Sequence, residues 1–98
     1  MENLIYTIEE INVFVDILKN KFNMNFEFDN LSSDEIDKHR QYLYIVRKIT
    51  HATRDNNILS KANLIDELNN EKIKYTDSGE ENLHCIEVIN EFINILNA

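Results

Sequence analysis

Between Lys38 and Arg54 the chain reads KHRQYLYIVRKITHATR, with five Lys or Arg and no Asp or Glu, in a protein of 98 residues whose formal net charge is -8. Set on a helix, Arg40, Tyr44, Arg47, His51 and Arg54 fall at i, i+4, i+7, i+11 and i+14, which makes one continuous stripe. Arginine offers a planar fork of donors that matches carboxylate or phosphate, and Tyr44 adds a ring on which a partner group can stack. Tyr42, Ile45, Val46, Ile49 and Ala52 occupy the other side, so the stretch is apolar one way and cationic the other. The alternative to a binding ridge is internal: acids on neighbouring helices answer these arginines within the fold, or the stripe is a solvated face.

The rest of the chain has the opposite sign. Residues 1–37 hold nine acids and two lysines, for -7, residues 38–54 give +5, and residues 55–98 hold nine acids and three lysines, for -6. An acidic body can occupy a basic site on a partner, and the contact candidates are Asp34, Glu35 and Asp37 in one cluster and Glu80, Glu81, Glu87 and Glu91 in another. Attraction of this kind speeds association and selects partners. Acids at helix starts also favour the positive end of the helix dipole, a structural role with no partner in it. The same field repels a polyanion at long range, which disfavours nucleic acid.

Metal and nucleophile chemistry find little support. His39, His51, His84 and Cys85 are the only strong nitrogen or sulfur ligands, and neither CxxC nor HExxH spacing occurs. Glu35 with His39, and His51 with Asp55, stand at i,i+4, a spacing that shares a hydrogen bond more readily than a metal. Cys85 lies on an apolar seam, where a thiol is inert. The sole glycine, Gly79, provides no phosphate loop, and nothing singles out a catalytic carboxylate pair. The expectation is a binding protein, not an enzyme, with no cofactor and no metal.

Helices must position these groups, because a chain with no proline and one glycine lacks the turn residues that sandwiches and barrels need. The size fits one helical domain over residues 1–98. No apolar run is long enough to span a membrane, the first residues are acidic, and one cysteine cannot close an internal disulfide. These features point to a soluble, cytoplasmic chain with no membrane partner.

Four helices are expected. Thr7 and Glu10 form a capping box with Tyr6 and Ile11 as its hydrophobic staple, and open a first helix with the seam Leu4, Ile8, Ile11, Val15, Leu18 and Phe22. Val13, Phe14 and Ile17 widen that seam. Ser32 and Glu35, with Leu31 and Ile36, repeat the start signal for a long second helix from Ser33 to about Asp55. Ser60 opens a third, expected to stop near Asn69 because Asn69 and Asn70 read as a turn. Ser78 and Glu81 cap a fourth over residues 80–97, with Cys85, Ile89, Phe92 and Leu96 inward and Leu83, Ile86 and Ile93 beside them. Alternation from Phe22 to Phe28 predicts a short strand, paired with residues 72–75 in a minor two-stranded element.

No motif points to one family. The leading functional reading is a small acidic module that blocks a partner protein, such as a basic enzyme, by contact, as inhibitors, immunity proteins and phage or bacterial anti-defence factors do. The alternative is a regulatory or homo-oligomeric helical protein whose ridge binds an acidic partner or nucleic acid.

Overall fold

The computed structural model describes residues 4–24, 32–77 and 82–98. The fold is all-helical: α1 (Ile8–Lys21), α2 (Ser33–Thr50, continued by a π-helical turn, His51–Asp55), α3 (Lys61–Thr76) and α4 (Leu83–Asn97). The most apolar of them, α4, packs against each of the other three. Cys85, Val88, Ile89, Phe92 and Leu96 are all buried on it, in a core shared with Leu18 of α1, Ile45 and Ile49 of α2 and Leu64 and Leu68 of α3. Each such side chain contributes about 1.5–3 kcal/mol by leaving water.

The start signals act as expected. The Thr7 hydroxyl accepts from Glu10 N at 3.1 Å while the Glu10 carboxylate accepts from Thr7 N, and both staple residues, Tyr6 and Ile11, are buried. Ser32 caps α2 through Glu35 N and Ser60 caps α3 through Asn63 N. With almost no glycine available, asparagine supplies the left-handed residue at two helix ends. Asn23 (φ 53°) follows α1, with Met24 N bonded to Lys19 O and Asn23 N to Asn20 O, the bonding pattern of a Schellman stop. Asn57 (φ 55°) does the same after the π turn, where Ile58 N reaches back to Ala52 O.

Three expectations are corrected. Residues 72–75, assigned to a strand, lie inside α3, and its Asn69-Asn70 pair continues the helix instead of turning. The local preference of asparagine for turns is overridden by packing: Leu64, Leu68 and Tyr75 recur on one buried face, and the Tyr75 hydroxyl donates to Glu71 one turn back at 2.9 Å. Of the other proposed strand, Phe22, Asn23 and Met24 form the turn after α1, and residues 25–28 lie outside the described residues. The one β pairing among the described residues is an isolated antiparallel bridge between Ile5 and Ser60, flanked by Tyr6 N to Leu59 O at 2.8 Å. Finally, Leu4, Val13, Ile17 and Leu83, assigned to the core, are 45–55% exposed, so α1 buries one narrow face.

Candidate functional site

Helix α2 separates its two faces as the periodicity requires. Tyr42, Ile45, Val46 and Ile49 are buried, while Arg40, Tyr44, Arg47, His51 and Arg54 all reach solvent. No arginine takes part in an ion pair among the described residues; the pairs found involve Lys21, Lys74, His51 and His84. Arg40 and Arg47 also lack any hydrogen bond there. Among the described residues, then, no acid on a neighbouring helix answers these two arginines.

The stripe does not continue to its end. Thr53, fully buried, turns its hydroxyl back onto Ile49 O at 2.9 Å and Thr50 O at 3.3 Å, and the next residues wind as a π turn closed by Asn56 N to His51 O. A π turn holds more residues than an α turn, so residues beyond it lag behind the α-helical angle. Arg54 is thereby directed toward α1, where its guanidinium donates to Asn12 Oδ1 at 3.2 Å and lines a groove of 440 Å³ with Asp16, Lys19 and Thr50. His51 remains beside Tyr44 and is held by Asp55 at 2.7 Å, so this i,i+4 pair shares a hydrogen bond. Among the described residues no three His, Cys, Asp or Glu side chains converge as a metal cluster would.

Tyr44 stands between two hollows. On one side a cleft of 360 Å³ is walled by Arg40, Gln41, Tyr44, Tyr75, Asn82 and Cys85. On the other, a hollow of 250 Å³ is walled by Tyr44, Arg47, Lys48 and His51. The ring is braced rather than free: Tyr75 meets it edge-on at 6.4 Å and the Lys48 ammonium lies 5.3 Å from its centroid. Lys48 was not placed on the ridge by the stripe, although its i+4 spacing from Tyr44 carries the signal.

Cys85 forms part of the cleft wall. Burial first, then the charges of Asp37 and Glu71, pushes its thiol up to about 11, so it stays protonated and a poor nucleophile near neutral pH. Burial and the Glu71 carboxylate also raise Tyr75 far above the usual phenol range, keeping its proton on the bond to Glu71.

Gln41 is the residue the sequence did not flag. It is 8% exposed, and its Oε1 accepts from His84 N at 3.1 Å and Cys85 N at 3.3 Å, capping α4 from a neighbouring helix. Asn82, the N-cap residue of α4, makes no side-chain capping bond to it, and the expected cap at Ser78 and Glu81 lies outside the described residues. The Gln41 amide donates in turn to Asp37 Oδ2 at 3.0 Å. A long-range cap has no sequence signature, because its partner is 43 residues away.

The acidic candidates divide. Asp34 and Glu35 are exposed in the first turn of α2. Asp37 is engaged by Gln41, Glu87 by the Tyr42 hydroxyl and His84, and Glu91 by an ion pair with Lys21 of α1. Glu80 and Glu81 lie outside the described residues. No helix among the described residues is long and apolar enough to cross a membrane. Comparison with protein-family models, curated proteins and solved structures returns no match.

Proposed function

We propose that this protein is a binding module that acts by contact with a partner protein, and that the Arg40, Tyr44 and Arg47 side of α2 is the face that meets an acidic surface. The observation that supports this most is the exposure of Arg40 and Arg47 without a counter-charge among the described residues, in a chain of 18 acids. A chain so rich in carboxylates has many opportunities to pair two arginines internally, and among the described residues it pairs neither. Two charge-assisted contacts of this kind, with a braced aromatic ring between them, match the composition of binding hot spots, which favour Arg and Tyr.

The acidic reading, an inhibitor, immunity or anti-defence factor that blocks a basic enzyme, is carried by the net charge of -8 and by Asp34 and Glu35, which stand exposed at one end of α2. Nucleic acid is less favoured, since that field opposes a polyanion. A homo-oligomer, in which one copy's ridge meets another's acids, is the remaining form of the ridge reading.

Charge reversal separates these. The tagged protein is incubated with extract of its source cells, crosslinked and compared with Arg40→Glu/Arg47→Glu and with Asp34→Lys/Glu35→Lys. Loss of the crosslinked partner in the arginine variant alone supports the ridge. Loss in the acidic variant alone transfers the function to the acidic surface, and the association rate with that partner then falls steeply with salt.

A further inference from the structure

The two hollows beside Tyr44 differ in what they can hold. The first, at 360 Å³, sits near the lower end of the roughly 300–1,000 Å³ typical of ligand pockets, with room for one large side chain rather than a cofactor. Its walls include the rings of Tyr44 and Tyr75 and the thiol of Cys85, and among the described residues its one formal charge is Arg40. The second is walled by two cations, Arg47 and Lys48, with His51 beside the same tyrosine.

Resting on the ridge reading, we propose that this track takes an extended acidic peptide segment of a partner protein, whose aromatic residue enters the cleft while carboxylates on either side meet Arg40 and Arg47. Spacing supports the fit. Seven helical residues separate the two arginines, about 10 Å along the axis, and about three residues of extended chain cover the same distance.

Charge supports it too. The two carboxylates that act on the Cys85 thiol, Asp37 and Glu71, are already engaged, Asp37 by Gln41 and Glu71 by the Tyr75 hydroxyl and Lys74. Among the described residues no carboxylate answers Arg40, which is therefore placed to meet an incoming anion. A nucleic-acid strand would bring one phosphate per nucleotide against a body of net charge -8, whereas a short segment brings only the few carboxylates the arginines can meet.

The test is fluorescence anisotropy with labelled probes: a peptide with one phenylalanine flanked on each side by glutamates, the same peptide with alanine for phenylalanine, an all-glutamate peptide and an oligo-dT strand. The phenylalanine peptide is expected to bind about tenfold more tightly than the alanine peptide, since each 1.4 kcal/mol is a factor of ten and burying an aromatic ring supplies at least that. Arg40→Ala and Arg47→Ala should each weaken it about tenfold while melting like wild type, because a hydrogen bond to a charged group is of the same size.

Equal binding of all three peptides, still weakened by the arginine substitutions, would overturn the cleft assignment and leave the ridge reading standing. Binding of every probe that ignores both arginines would overturn the assignment and count against the ridge reading as well, and no peptide binding at millimolar concentration would overturn the assignment alone. Tighter, arginine-dependent binding of oligo-dT would replace the peptide with nucleic acid. Amide shifts on titration confined to Tyr44, Tyr75 and Cys85 would place the phenylalanine.

Discussion

On α4, Glu87 and Glu91 are held by Tyr42, His84 and Lys21, whereas on α2 Arg40 and Arg47 reach solvent with no partner among the described residues. Both helices place charge beside an apolar seam, yet one uses it to fasten neighbouring helices and the other leaves it available. The difference follows from position. As the hub, α4 brings even the flanks of its seam within reach of α1 and α2, so its carboxylates meet donors there. The ridge of α2 lies across the helix from its buried seam and touches only the margins of the other helices, Tyr75 of α3 beside Tyr44 and the first turn of α4 across the cleft from Arg40. A residue's type therefore says less about its role than the helix its face points at.

The comparison can be broken from its structural side first. Phe92→Ala removes a fully buried ring from the hub and should cost about 3–5 kcal/mol in urea unfolding. A smaller loss would mean that α4 is not the centre of the core. Gln41→Leu, close in volume, strips the cap from the first turn of α4 and leaves the buried Cys85 amide without its acceptor. A loss of about 1–3 kcal/mol is expected, with faster amide exchange at His84 and Cys85. Unchanged exchange there would show that the cap is incidental.

Alkaline titration probes the same wall. The folded Cys85 thiol is raised to about 11 from an ordinary value near 9, so between those pH values the unfolded chain loses a proton that the native protein keeps. Stability is complete below about pH 9 and falls as pH climbs toward 11, on the order of 1 kcal/mol per pH unit. The raised phenols of Tyr6, Tyr42 and Tyr75 steepen the fall at its upper end. Cys85→Ala should flatten the lower part of this slope, and an unchanged slope would assign it wholly to the tyrosines.

The smallest effects sharpen the contrast most. Lys21→Ala breaks the pair with Glu91 at a site where the lysine side chain is 58% exposed, so about 0.2–1 kcal/mol is expected. Arg40→Ala and Arg47→Ala should change stability by less than about 0.5 kcal/mol each. A cost near 3 kcal/mol for Arg47 would mean a buried counter-charge and would end the ridge reading.

Local signals carried much of the fold. Thr7 with Glu10, Ser32 and Ser60 mark three helix starts because a cap and its partner lie three residues apart, and the two faces of α2 follow from period alone. The third helix misled because Asn69-Asn70 satisfies a local rule that the buried face of Leu64, Leu68 and Tyr75 outweighs. What tertiary structure decided is what lies between helices: Gln41 as the cap of α4, Glu91 tied to Lys21, Arg54 diverted by the π turn at Thr53, and Arg40 and Arg47 without a counter-charge among the described residues. The reason is physical. Caps, staples and amphipathic period are properties of residues within a few positions of one another, whereas the partner of a charge is set by distances that exist only after the helices have packed.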